Sequence, residues 1–88
     1  MRRSKYQIIP QILSICVGGA CKTKIVYRAN LNFRTVNPYI DLLTQKGFLR
    51  TNTGRNVSYE TTNSGIKLLE DFKHMNNKLS ELECENLI

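Results

Sequence analysis

The chain has 88 residues, 41% of them hydrophobic, enough for one modest core, since domains typically hold ~100–150 residues. No apolar run reaches the ~18 residues of a membrane span: the stretch from Ile8 to Ala20 is broken by Pro10, Gln11 and Gly18-Gly19. Arg2-Arg3 leads into Ser4, Lys5 and Gln7, not into an apolar segment with a cleavage site, so the expected compartment is the cytoplasm. With one histidine (His74), no tryptophan, and Cys16, Cys21 and Cys84 at no paired metal-ligand spacing, the expectation is no metal, no cofactor and no enzyme chemistry.

Charge gives a positive indication. The formal net charge is +6, unevenly spread. Residues 1–61 carry ten Lys/Arg against Asp41 and Glu60, a balance of +8, whereas residues 62–88 carry three lysines against five acids. A cationic front with a mildly acidic tail suits a polyanion, and phosphate backbone is the obvious one.

The first helix is expected from an N-cap at Ser4 to about Val17, with Ile8, Ile9, Ile12, Leu13 and Cys16 at helical spacing. Pro10 should either kink it or draw its regular start toward the proline, where a missing N–H does least harm. Gly18-Gly19 ends it. A short second helix fits Lys22 to Ala29, with Ile25 and Val26 inward. Asn30-Leu31-Asn32 then makes a tight turn, and Asn32 caps a third helix to about Lys46. Val36, Tyr39, Ile40 and Leu43 form its apolar stripe, which continues through Pro38, and Gly47 stops it. Phe48–Thr51 and Val57–Thr61 are expected as strands around the polar turn Asn52-Thr53-Gly54-Arg55-Asn56. Thr62 or Asn63 caps a last helix, in whose first turn Gly65 costs about 1 kcal/mol relative to alanine.

Helix, short helix, turn, helix, hairpin, helix is the order of a winged helix-turn-helix. The expected fold is therefore mainly α (α+β), with a two-stranded wing and a long C-terminal helix. It divides into a winged domain (1–65) and a dimerisation helix (66–88). The third helix would present Arg34, Thr35 and Asn37, with Asn32 at its start, to the major groove, which admits one α-helix. Asp41 and Gln45 share that face. Arg34 fits either a guanine reader or a phosphate clamp. The wing would reach backbone or a neighbouring groove with Arg50, Asn52, Thr53 and Arg55. Lys22, Thr23 and Lys24 open the second helix, where backbone N–H groups and lysines together favour phosphate. Arg2, Arg3 and Lys5 add cations at the N-terminus.

Several runs carry a resemblance: Arg2-Arg3-Ser4-Lys5 leading into Ile8-Ile9 and Ile12-Leu13; Lys22-Thr23-Lys24-Ile25-Val26-Tyr27-Arg28-Ala29-Asn30-Leu31 followed by Asn32-Phe33-Arg34; Tyr39-Ile40-Asp41-Leu42-Leu43-Thr44-Gln45-Lys46-Gly47-Phe48-Leu49; and Tyr59-Glu60-Thr61-Thr62-Asn63-Ser64-Gly65. Across residues 2–75 the chain resembles small archaeal winged-helix, transcription-regulator-like proteins, from which pattern Pro10 and Pro38 depart. The resemblance implies DNA binding. Because some members are chromatin-associated and dimerise by an antiparallel coiled coil of the last helix, it also implies a homodimer on the nucleoid.

The last helix carries its own pattern. Leu68, Phe72, Met75, Leu79, Leu82 and Asn86 are spaced as an a/d seam. Ile66 and Leu69 lie on another face and are expected to pack on the winged domain. The seam would pair with a second copy or, alternatively, fold back in cis. The expected partners are double-stranded DNA and a second copy, with no membrane and no small-molecule ligand implied. RNA in place of DNA, and a protein–protein adaptor with an incidental cationic face, are the alternatives left open.

Overall fold

The computed structural model describes the backbone of residues 4–86 and the side chains of residues 4–78. Helix α1 spans Lys5–Ile15 and ends in a 3-10 turn, Cys16–Gly18. Helices α2 (Lys22–Ala29) and α3 (Phe33–Gln45) follow, then strands β1 (Leu49–Asn52) and β2 (Ser58–Thr61), then α4 (Asn63–Asn86). This is the expected element order, and the fold is mostly helical with a small antiparallel sheet.

Local chemistry sets the boundaries. At α1 the Ser4 amide donates to Gln7 Oε1 at 3.0 Å, satisfying an N–H that the helix itself cannot. The helix starts at Lys5 and runs through Pro10, so the proline does not draw the regular start toward itself. Asn32 caps α3 by accepting the Thr35 amide at 2.8 Å. At the end of α3 the Phe48 and Gly47 amides donate to the Leu43 and Thr44 carbonyls, and Gly47 takes φ +82°, a left-handed closure that glycine adopts without steric cost. Asn30 closes α2 in the same way at φ 55°.

The core is where the helical stripes meet. Ile8, Ile12, Leu13 and Cys16 of the first segment pack with Ile25, with Val36, Ile40 and Leu43 of α3, and with Leu49 and Leu69. Each large apolar side chain buried in this way contributes about 1.5–3 kcal/mol. Ile9, Val26 and Tyr39, expected inside, are only half-buried at the margin.

In the sheet, Leu49 pairs with Thr61, Arg50 with Glu60, Thr51 with Tyr59 and Asn52 with Ser58. Each strand begins one residue later than its sequence pattern suggests, and just before β1 stands Phe48. Its amide closes α3, and its carbonyl accepts the Thr62 amide at 3.1 Å. Asn52, opposite Ser58, is the last ladder residue and not part of the tip. A pairing invisible in the sequence widens the sheet: Ala20 exchanges hydrogen bonds of 2.9 and 2.8 Å with Tyr59.

The seating of α4 differs from expectation. Leu69 is buried and Leu68 packs half-buried against the core, whereas Ile66 is 37% exposed. The phase is set by Gly65, which lies against the Phe48 carbonyl. Gly65 and Leu69, one turn apart, then face the domain, and Ile66 turns toward solvent. Beyond Phe72 every side chain from Lys73 to Lys78 is exposed, Met75 at 60%. Leu79 and Leu82 of the expected seam lie outside the described side chains.

Candidate nucleic-acid interface

The face expected to read a duplex is built from α2, α3 and the wing. The Asn30 turn places α3 directly after α2, and the Ala20–Tyr59 bridge ties the residue before Cys21, the α2 N-cap, to the wing. On α3, Arg34, Asp41 and Gln45 are exposed and Thr35 and Asn37 are half-buried. Asn37 Oδ1 is buried with no hydrogen-bond partner among the described residues. Asn32 Oδ1 is occupied by its capping bond.

At the start of α2, Thr23 and Lys24 are exposed and no side chain caps the first-turn amides. Lys22 is half-buried, its Nζ 5.9 Å from the centre of the Tyr59 ring, so it leans toward the wing. Lys5 joins a different neighbourhood. Its Nζ lies 5.4 Å from the centre of the Tyr6 ring, and Tyr6 lines a groove with Leu68, Phe72 and Met75 of α4. Arg2 and Arg3 lie outside the described residues.

On the wing, Arg50 and its cross-strand neighbour Glu60 form an ion pair, and Asn52 Nδ2 donates to the same Glu60 oxygen at 3.3 Å. The Arg50 hydrogen bond, with the smaller help of Asn52, holds the Glu60 carboxyl below its usual range. Among the described residues no other ion pair is formed. Lys22, Lys24, Arg34 and Arg55 therefore have no carboxylate partner there, and Thr53 and Arg55 stand exposed at the tip. Burial raises the Cys16 thiol from 9.0 to about 11, against a small opposing effect of Lys24. That thiol is a core group, while Cys21 is exposed.

Two exposed aromatics escape the sequence pattern. Tyr27 on α2 is 85% exposed and Phe33, the first residue of α3, 47% exposed. Helical spacing could have placed Tyr27 opposite the inward Ile25 and Ala29. Phe33 gives no such signal, because a first-turn aromatic can fold either way. Among the described residues no group of His, Cys, Asp or Glu could hold a metal ion, and no helix is long and apolar enough to cross a membrane.

Comparison with known proteins agrees with this architecture. A protein of the archaeon Methanocaldococcus jannaschii is 39% identical over 82 residues, covering 88% of this chain and 81% of the relative. The crystal structure of Sso10a-2, a DNA-binding protein from Sulfolobus solfataricus, superposes with a TM-score of 0.88 at 25% identity, over 96% of this chain and 90% of that one. BpsR of Bordetella bronchiseptica, whose DNA binding is regulated by 6-hydroxynicotinic acid, shares the fold at a TM-score of 0.72 and 18% identity, over 91% of this chain and 59% of its own. Residues 2–80 match the winged helix-turn-helix family, which takes in the whole winged domain and most of α4, and the chain belongs to that family.

Proposed function

We propose that the protein binds duplex DNA as a homodimer, acting as a transcription regulator or an architectural chromatin protein on the nucleoid and not as an enzyme. Helix α3 enters the major groove, the wing braces the backbone, and α4 joins two copies. The carrying observation is the set of cations on the helix-turn-helix and wing without carboxylate partners among the described residues: Lys22 and Lys24 on α2, Arg34 on α3 and Arg55 at the wing tip. Such cations displace counterions condensed on phosphate. The DNA-binding description of Sso10a-2 supports the same assignment. The exposed Met75, continuing the line of Leu68 and Phe72, supports pairing of α4 with a second copy, because an apolar stripe on a projecting helix is costly to leave in water. Duplex DNA fits better than duplex RNA, whose deep, narrow major groove does not admit a helix.

Fluorescence anisotropy with a labelled duplex tests the assignment. With four to six phosphates neutralised per domain, log K against log salt should fall with a slope of about −4 to −5. A flat signal in dilute buffer rules DNA out and leaves the adaptor alternative. Arg34→Ala separates two roles: lost discrimination among sequences marks base reading, and uniform weakening marks phosphate positioning. Sedimentation showing single chains at high concentration removes the homodimer.

A further inference from the structure

The proline inside α1 sits in the wall of a groove that the reading face does not use. This groove, about 620 Å³ in volume, runs between one face of α1, the last turn of α2 and the inner flank of α4. Small-molecule sites typically occupy about 300–1,000 Å³. Pro10, Ile15 and Leu69 supply its apolar surface, and Tyr6 and Phe72 its aromatic surface. Its two charged residues are both cations, Arg28 of α2 and Lys73 of α4, and among the described residues no Asp or Glu lines it. Neither cation has an ion-pair partner among the described residues.

Pro10 adds an independent observation. An interior proline removes a helical hydrogen bond and costs about 3 kcal/mol or more in a regular helix. Here the N–H it lacks is the one that would otherwise bind the Tyr6 carbonyl, one turn back on the same face. Core packing gives no reason for it, since Ile8, Ile12 and Leu13 already form the buried stripe of α1 and Pro10 is only half-buried. The costly residue lies where α1 borders the groove.

We propose that this groove binds a small planar organic anion of the aryl carboxylate class. The rings of Tyr6 and Phe72 and the flat face of Pro10 suit an aromatic body, and the two cations in its lining suit a carboxylate. The neighbouring groove shares Tyr6 and Phe72 and adds Leu68, Met75 and Asp71; it follows the stripe assigned to the second copy, so ligand and second copy would take opposite sides of those two rings. A ligand held by Arg28 and Lys73 would bridge the helix-turn-helix to the long helix.

The test is direct binding to the full chain, followed by amide NMR with 2-naphthoate as probe and uncharged 2-naphthamide as control, and needs no DNA. The expected result is saturable shifts at Tyr6, Ser14, Phe72 and Lys73 with a Kd below about 1 mM, and binding of the amide at least about tenfold weaker. The double variant Arg28→Gln and Lys73→Gln, both exposed positions, should weaken naphthoate by about tenfold or more while the thermal midpoint stays put. Three results overturn the proposal: no saturable shift at millimolar probe, equal binding of acid and amide, or shifts confined to Lys22, Lys24 and Arg34. The last would mark nonspecific anion attraction by the reading face. DNA binding can stand or fall separately, because this measurement does not involve it.

Discussion

Thr61 and Leu13 are joined across 48 positions of sequence: the buried Thr61 hydroxyl donates a 2.6 Å hydrogen bond to the Leu13 carbonyl. Leu13 lies in the last turn of α1, where carbonyls run out of helical partners, and Thr61 ends the second wing strand. One side chain thus satisfies a helix terminus and fixes the wing to the core. Thr61→Val keeps the shape but leaves the carbonyl buried and unpaired, at a cost of about 1–3 kcal/mol. Urea unfolding measures it. A neutral substitution would mean that water reaches the Leu13 carbonyl.

Gly65 gives the sharpest reversal of a propensity rule. A Cβ there would lie 2.2 Å from the Phe48 carbonyl oxygen and 2.6 Å from Thr61 Cγ2. Alanine is the better helix former by about 1 kcal/mol, yet Gly65→Ala should destabilise by about 1–3 kcal/mol through overpacking against backbone that cannot yield. A higher urea midpoint in the variant would show that α4 is not seated on Phe48.

Cys16 makes stability depend on alkaline pH. Its thiol is raised from 9.0 to about 11, so the folded state favours the neutral form. The contribution is complete below pH 9, falls away as pH climbs toward 11, and changes no further above that. The loss over this window is about 2–3 kcal/mol. Comparing urea unfolding at pH 8 and pH 11 for the native chain and Cys16→Ala isolates it, since lysine and tyrosine titration is common to both. Equal losses in the two proteins would contradict it.

Glu60 restrains the wing. It holds Arg50 and Asn52, two residues expected at DNA. Glu60→Gln removes an anion and releases Arg50, so duplex affinity should rise by about two- to tenfold and the salt slope steepen by about one. Anisotropy titrations at three salt concentrations check both. An unchanged slope would place the wing off the backbone. Because the carboxyl is held low, the stability it adds is present above the carboxylate range and is lost as pH falls through its lowered value.

The alternation of helical stripes, glycines and a polar hairpin turn determined the element order, and with it the winged helix-turn-helix. Apolar periodicity is a local property, and it placed Ile8, Ile12, Leu13 and Cys16 and Val36, Ile40 and Leu43 inward, with Ile9 and Tyr39 falling at the margin. The uneven charge along the chain likewise pointed to a polyanion as the partner. Relationships between distant segments were not legible, because they depend on how elements are rotated and seated against one another. The Ala20–Tyr59 bridge, the exchange of Ile66 for Leu68 at the core, the engagement of Arg50 by Glu60 and the groove bordered by Pro10 all arise in this way. A helix has several candidate apolar lines, and for α4 the choice among them fell to one close approach, Gly65 against the Phe48 carbonyl. No pattern within the helix itself contains that contact.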